Sequence, residues 1–198
     1  MRGLFLLAIV LVAFGAARWA MQRPIVHSAG TLVSAEPRQD SPSDAAPVEF
    51  GDFVLTPLAD FELEARVLSR EDYGFGTESS LSPTDLALGW GRMSDSAVIE
   101  QLEIRQSARF YHYRWRDQPP IPPREIVRSS ANMHLIPADA DVARELARVR
   151  EGELVSLRGR LVEARRADGW HWRSSLTRED SGAGACELVL VDSLSREP

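Results

Sequence analysis

Residues 150–164, REGELVSLRGRLVEA, form a long alternating pattern of apolar and polar side chains. Apolar residues at every second position are typical of a strand with one buried face, and we expect this strand to run from Glu153 to Ala164. The alternation changes phase after Gly159, because Leu161 and Val162 are both apolar. A glycine at such a point favours a β-bulge or a sharp bend, so the stretch predicts a strongly curved strand.

The residues that follow predict a β-meander. Asp168-Gly169 is a dipeptide typical of a tight hairpin turn, and we expect a return strand over 170–176 and a last strand over 186–191. A long bent strand followed by a hairpin resembles one half of an OB-type barrel, a small Greek-key fold. The sequence therefore predicts an α+β domain, mainly antiparallel β, with a small OB-like bent barrel.

Three helices are predicted before this stretch. The segment that begins at Asp139 or Asp141 has its apolar residues on one stripe, which predicts one substantial helix over about 139–150. Ser82, as an N-cap, opens a first short helix that ends before Gly89, and a second short helix begins at Asp95 or Ser96. Strands are expected in three further segments on alternation and β-propensity, namely 61–67, 103–116 and 129–137.

The N-terminus is a membrane-targeting segment. Residues 1–23 carry an arginine at position 2 and then an apolar run, and residues 3–21 are long enough to cross a bilayer as a helix. The first interpretation is an uncleaved single-pass anchor in a bacterial inner membrane, with the domain on the periplasmic side. The alternative is a signal peptide cleaved after Ala17, which would release the domain into the periplasm.

Residues 24–50 have no apolar periodicity and contain four prolines among small and acidic residues. This composition is typical of a flexible linker. The predicted organisation is an anchor or signal peptide over 1–23, a flexible linker over 24–50, and a single β-rich domain over 51–198.

Charge is distributed unevenly along the chain. The formal net charge is -6, and all 23 basic residues are arginine. Acidic residues dominate 49–103, whereas 104–130 and 158–178 each carry six arginines and two acidic residues. Either these stretches neutralise one another in the folded domain, or they form one basic face that meets an anionic partner. The acidic total disfavours nucleic-acid binding.

Several blocks of the domain are similar to a known group of proteins. The blocks are LSPTDLALGWGRMSD (81–95), RFYHYRW (109–115), SSANMHLIPAD (129–139), DGWHWRSSLTRED (168–180) and GACELV (184–189). Together they resemble an uncharacterised proteobacterial family of N-terminally anchored envelope proteins, over about residues 53–192. The resemblance implies a bacterial envelope protein. It implies no catalytic residues, because the group has no established activity.

Few residues indicate catalysis. The histidines lack the spacing of a zinc motif, and no metal or cofactor is expected. His134 with Cys186 or Ser174 has the residue types of a hydrolase, and Cys186 with His134 and Asn132 has those of a thiol hydrolase. Cys186, which alternates with two leucines, is expected to be a buried, inert thiol. A periplasmic hydrolase is therefore the second hypothesis, and the pattern favours a non-enzymatic function.

Aromatic and arginine side chains are concentrated in the same blocks, and they are the candidate ligand-binding residues. The alternative is that the aromatic residues are the large core residues of a small barrel. The set is Tyr111, Tyr113, Trp115, Trp170, Trp172, Arg109 and Arg173. The leading hypothesis is an anchored extracytoplasmic binding or assembly module that contacts an envelope protein or a glycan of the cell wall. An OB-type oligonucleotide binder is the least favoured alternative. The sequence leaves open which partner is bound and how many copies of the chain assemble.

Overall fold

The computed structural model describes residues 23–179, 182 and 184–197. The predicted membrane segment lies outside these residues, except for Arg23. None of the helices within the described ranges combines the length and the apolar composition that crossing a membrane requires.

Ten strands and four short helices follow one another along the described chain. The strands are β1 (Arg38–Asp40), β2 (Val48–Phe50), β3 (Phe53–Asp72), β4 (Thr84–Gly89), β5 (Glu103–Ser107), β6 (Phe110–Arg114), β7 (Ser130–Pro137), β8 (Leu154–Arg166), β9 (His171–Arg173) and β10 (Glu187–Glu197). The helices are α1 (Thr77–Leu81), α2 (Ser96–Ile99), α3 (Pro123–Arg128) and α4 (Ala140–Leu146), and a 3₁₀ turn covers Gly91–Ser94.

Five strands close into a ring. The 20-residue strand β3 pairs with β8 along residues 53–66 and with β4 along residues 66–72. The ring continues from β4 to β7, then to β10, and returns through β8 to β3. All of these pairings are antiparallel except β7 with β10. The predicted α+β class, mainly antiparallel and barrel-like, is confirmed.

The phase change in β8 reflects two separate apolar cores. Leu161 packs inside the ring with residues such as Phe61 and Leu135, whereas Val162 packs into a second cluster outside it. No bulge interrupts β8 itself. The register shifts lie in its neighbours, at Leu58 of β3 and Asp192 of β10. The position of the predicted irregularity was therefore right. The bulged residues, however, belong to the partner strands β3 and β10 and not to β8.

The predicted first short helix is wrong. Thr84–Gly89 is a strand, β4, and the helix α1 lies just before it. All six residues of β4 are buried between β3 and β7. The free energy gained by that burial exceeds the one kcal/mol or so that a helix cap contributes.

Each of the other two predicted helices has as its N-cap one of the two residues proposed for it. Asp95 accepts a hydrogen bond from the Ala97 N–H at the start of α2. Asp139 accepts from the N–H groups of Asp141 and Val142 and so caps α4. This helix ends at Leu146, earlier than predicted.

Residues 24–50, which we call the N-terminal strap, lie against the barrel rather than forming a free linker. The Ile25 N–H donates to the Glu151 carbonyl at 2.8 Å, and the Val33 N–H donates to the Ser94 hydroxyl at 3.0 Å. Farther along, β1 and β2 add to the edge of β3 that β4 leaves open. The strap is attached mainly by backbone hydrogen bonds, which explains the absence of an apolar period.

Substitution of Gly152 by alanine is expected to detach the start of the strap. A Cβ at this position would lie 2.0 Å from the Ile25 carbonyl oxygen. We expect thermolysin to cleave between residues 24 and 33 about tenfold faster than in the native chain, as mass spectrometry would detect. Gly169→Ala is the matched control, because Gly169 also has a positive φ but has open space around it. Equal cleavage of both variants would contradict the expectation.

Candidate functional site

The hairpin β5–β6 lies over one face of the barrel and ends in a tight turn. Ala108 and Arg109 form the turn with φ values of 49° and 70°. Two consecutive positive φ values are typical of the type I′ turns that close two-residue hairpins. The turn is held to the barrel, because the Arg109 N–H donates to the Tyr73 hydroxyl at 3.1 Å.

A buried carboxylate, Asp85, lies beneath this turn. Its Oδ1 atom is 2.8 Å from Nη1 of Arg109, and its side chain is fully buried. The same Nη1 donates to the Ser82 carbonyl at 2.9 Å, and the guanidinium lies 3.8 Å from the centre of the Tyr73 ring. A buried carboxylate is tolerated when it is paired and hydrogen-bonded in this way, so Asp85 ties the hairpin to β4.

His134 is closed in on the other side of Asp85. Its Nδ1 lies 2.9 Å from Oδ2 of Asp85, at ion-pair distance but without the alignment of a hydrogen bond. The imidazole and the Trp172 ring have centroids 4.5 Å apart, and His134 is only 3% exposed. An incoming substrate therefore has little access to this imidazole.

The two candidate nucleophiles contact backbone groups. The Ser174 hydroxyl donates to the Ser175 carbonyl at 2.8 Å and accepts from the Leu188 N–H at 3.1 Å. The Cys186 sulfur lies 3.8 Å from the Arg109 carbonyl oxygen and 3.9 Å from Nδ2 of Asn132. These contacts connect the barrel to its loops. None of these four contacts involves His134, so they do not pair the imidazole with either candidate nucleophile.

Cys186 is half-buried, not buried as expected. It precedes the first residue of β10, Glu187, so the alternation with Leu188 and Leu190 does not extend to it. Its neighbour Asn132 donates to the Arg109 carbonyl at 3.1 Å and accepts from Nε2 of Gln106 at 2.6 Å. Asn132 and Cys186 thus join the hairpin to the barrel at one point.

The aromatic candidates form two separate groups. Tyr111, Tyr113 and Trp115 face the barrel from the hairpin, with the first two ring centroids 5.4 Å apart. Burial raises the pKa of both tyrosine hydroxyls. Trp170 and Trp172 pack on the second core near β9. Each group is partly core and partly surface.

The two arginine candidates are both in ion pairs. Arg109 pairs with Asp85 beneath the turn, and its guanidinium lies 5.6 Å from the Trp172 ring centre. Arg173 pairs with Glu163 at 3.1 Å on the neighbouring strand β8. Arg109 therefore connects the hairpin turn with Trp172, whereas Arg173 lies on the outer side of β9.

A cleft separates the hairpin from the loop between β9 and β10, and we call it the hairpin cleft. Its volume is about 120 Å³. The first wall is β6, the floor is the end of α3 with the start of β7, and the second wall is the loop. The lining residues are Phe110, Tyr111, Tyr113, Val127, Ser130, Ala131, Asn132, Thr177, Arg178, Gly182, Ala185, Cys186 and Glu187.

Among the residues that the structure describes, no strand pairs with the edge of β6 that faces away from β5, and we call it the open edge. Ser107 and Phe110 close the two-residue turn as a hydrogen-bonded pair, and pairing alternates from there along the hairpin. Tyr111 and Tyr113 are therefore in non-hydrogen-bonded pairs, and their backbone N–H and C=O groups point away from β5. No backbone hydrogen bond joins these groups to another residue of the described part of the chain. Both tyrosines line the hairpin cleft.

The two arginine-rich stretches are largely neutralised. Ten of their twelve arginines lie within 4 Å of a carboxylate, among them Arg109 with Asp85 and Arg178 with Glu187. A continuous basic face for phosphate backbones would need these guanidinium groups to be available. The arrangement favours mutual neutralisation over the hypothesis of one basic face.

Sequence reasoning missed the central residue of this site. Asp85 lies within the segment that was predicted as the first short helix, whereas the structure places it in the buried strand β4. The available signal was one carboxylate directly before the apolar run Leu86–Leu88, because buried carboxylates require a partner. Phe110 and Arg178, at the rim and wall of the hairpin cleft, were also outside the predicted binding set.

No metal centre is present within the ranges that the structure describes, where no cluster of three or more histidine, cysteine, aspartate or glutamate side chains is arranged to hold an ion. Comparison with protein families, curated proteins and solved structures finds no match for this chain.

Proposed function

We propose that this protein is a membrane-anchored extracytoplasmic binding module, built on an OB-type barrel, that binds an extended segment of a partner protein along β6. The barrel assignment is supported by the ring of five strands, in which α4 connects β7 to β8. Small five-stranded barrels of Greek-key connectivity are typical of the OB type. Such barrels carry many functions, so the function itself rests on the site.

The observation that carries the proposal is the open edge of β6 along the hairpin cleft. A strand edge with unpaired N–H and C=O groups is a template for a further strand, and many recognition domains bind extended peptides in this way. The hairpin cleft offers that edge beside apolar rings and aliphatic side chains. An extended protein segment repeats backbone groups at the spacing of such an edge, which a glycan does not.

The cellular location is proposed from the sequence alone. Residues 3–21 are the proposed single-pass membrane contact in a bacterial inner membrane, with the barrel on the periplasmic side. Cleavage after Ala17 would instead leave the same barrel free in the periplasm. In either case the partner is an envelope protein.

A photo-crosslinking amino acid at Phe110 tests the proposal in cells. Phe110 is 39% exposed at the rim of the hairpin cleft, and Val54 of β3, at 44%, is the control position. We expect a discrete protein adduct from position 110 that position 54 does not give. The full-length chain is used in both cases.

Proline substitutions in the hairpin identify the edge that the partner uses. Tyr113→Pro removes an N–H that faces the cleft, and Ile104→Pro removes the corresponding N–H on the opposite edge of the hairpin. Tyr113→Pro loses one hydrogen bond to the partner and the contact that the tyrosine ring makes, so we expect the adduct yield to fall about tenfold. We expect little change of the yield in Ile104→Pro. The absence of an adduct, or equal losses in both variants, would overturn the proposal.

A further inference from the structure

The partner segment can be described further from the two sides of β6. Side chains of a β-strand alternate between its faces, so an added strand would also present two sets of side chains. One set would point with Tyr111 and Tyr113 toward the floor of the hairpin cleft. The other would point outward, beside Phe110, His112 and Arg114, which are exposed.

The inner part of the hairpin cleft suits an apolar side chain. Val127 and Ala131 lie at its floor, and the rings of Tyr111 and Tyr113 line the wall beside them. A charged side chain in this position would lose its hydration against an apolar surface. The inward set of the partner is therefore apolar.

The outer face of the hairpin has an excess of positive charge. Arg105 and Arg114 are 73% and 68% exposed, and both lie within 4 Å of the same carboxylate, Glu103. The Arg114 hydrogen bond, with Arg105 and Arg116 nearby, lowers the pKa of Glu103. One carboxylate shared among these guanidinium groups leaves a net positive potential next to the open edge.

We infer that the segment bound along β6 alternates apolar and acidic residues, with the apolar residues in the hairpin cleft and the acidic ones beside His112 and Arg114. This inference rests on the proposed strand addition. Side chains directly opposite each other on paired strands are about 5 Å apart, so an acidic residue opposite Arg114 lies within reach of its guanidinium.

Synthetic heptapeptides test the pattern against the full chain in detergent micelles. The first peptide alternates leucine and aspartate, the second alternates leucine and lysine, and the third has the composition of the first in two blocks. Fluorescence anisotropy gives their affinities. We expect the first peptide to bind about tenfold more tightly than either of the others. This difference in affinity should become smaller at high salt.

Charge reversal at Arg114 tests whether the preference for the aspartate peptide over the lysine peptide comes from the outer face of the hairpin. Arg114→Glu is expected to abolish the preference for aspartate over lysine. Arg158→Glu, an arginine of β8 that is 70% exposed and also paired with a glutamate, is the matched control and should retain it. An unchanged preference in Arg114→Glu would contradict the inference.

Two different failures separate this inference from the proposed function. Equal affinity for all three peptides, or no binding up to about 1 mM, overturns the alternating pattern. Strand addition would survive that result if the Phe110 adduct still depends on Tyr113 and not on Ile104. Loss of that dependence would instead overturn strand addition, and with it this inference.

Discussion

Replacement of Asp85 by alanine is expected to lower the free energy of unfolding by about 3–5 kcal/mol, because it leaves a guanidinium without its carboxylate under the hairpin turn. Arg109 donates to Asp85 at 2.8 Å, and the Arg109 side chain is only 17% exposed. Water can therefore replace the lost partner only in part. Urea denaturation of the full chain in detergent, followed by tryptophan fluorescence, measures the change.

Asp168→Ala is the control for this substitution. Asp168 is paired with Arg166 at a hairpin turn, but its side chain is 52% exposed. Water screens an exposed ion pair of this kind, so the control should remain near the native stability. Similar losses in the two variants would contradict the structural role assigned to Asp85.

The Asp85 substitution also has an expected effect on binding. Arg109 forms the turn between β5 and β6, and its ion pair fixes that turn on the barrel. Without Asp85 the open edge of β6 would lose its fixed distance from the floor of the hairpin cleft. The Phe110 adduct should therefore weaken in Asp85→Ala under conditions in which the barrel remains folded, and an undiminished adduct would contradict this coupling.

Gly159→Ala is expected to destabilise the barrel by at least about 3 kcal/mol, because the added methyl group meets backbone atoms. A Cβ at this position would lie 2.1 Å from the Leu190 carbonyl oxygen and 3.0 Å from its carbonyl carbon. Backbone in the middle of two paired strands cannot move aside without breaking the hydrogen bonds between β8 and β10. The same urea titration measures the loss.

Gly74→Ala provides the comparison for Gly159. Gly74 lies in the loop after β3, and a Cβ there would have no heavy atom within 4 Å. Its φ is not in the positive range, so the substitution tests the effect of the methyl group without strain. We expect its stability to stay within about 0.5–1 kcal/mol of the native chain. A Gly159→Ala variant as stable as Gly74→Ala would show that β8 and β10 can separate.

The barrel could be predicted because its strands carry their own pattern. The alternation in β8, the Asp168-Gly169 turn and the cap at Asp139 are local signals, and each is present in the structure. β4 could not be recognised in this way. A strand buried on both faces has no alternation, so the capping residues before it were the stronger local signal.

Individual residues of the site could be predicted from the sequence, but their arrangement could not. The sequence placed Arg109, Tyr111, Tyr113 and Trp172 in the candidate set, but the partners of these residues lie on distant strands. Asp85 and Arg109 are 24 residues apart and meet only because the hairpin folds back across β4. The open edge of β6 depends on the register of the hairpin, which the sequence does not show by composition or periodicity.

The contact between the strap and the barrel changes how far the protein can extend from a membrane. A flexible chain over the 27 residues 24–50 would span about 30 Å on average. With Ile25 hydrogen-bonded to Glu151 at 2.8 Å, only three residues lie between it and position 21, and a chain of that length extends at most about 14 Å. If residues 3–21 cross the bilayer, the barrel lies next to the lipid headgroups with little freedom to rotate. The partner that we propose would then have to reach the barrel at the membrane surface.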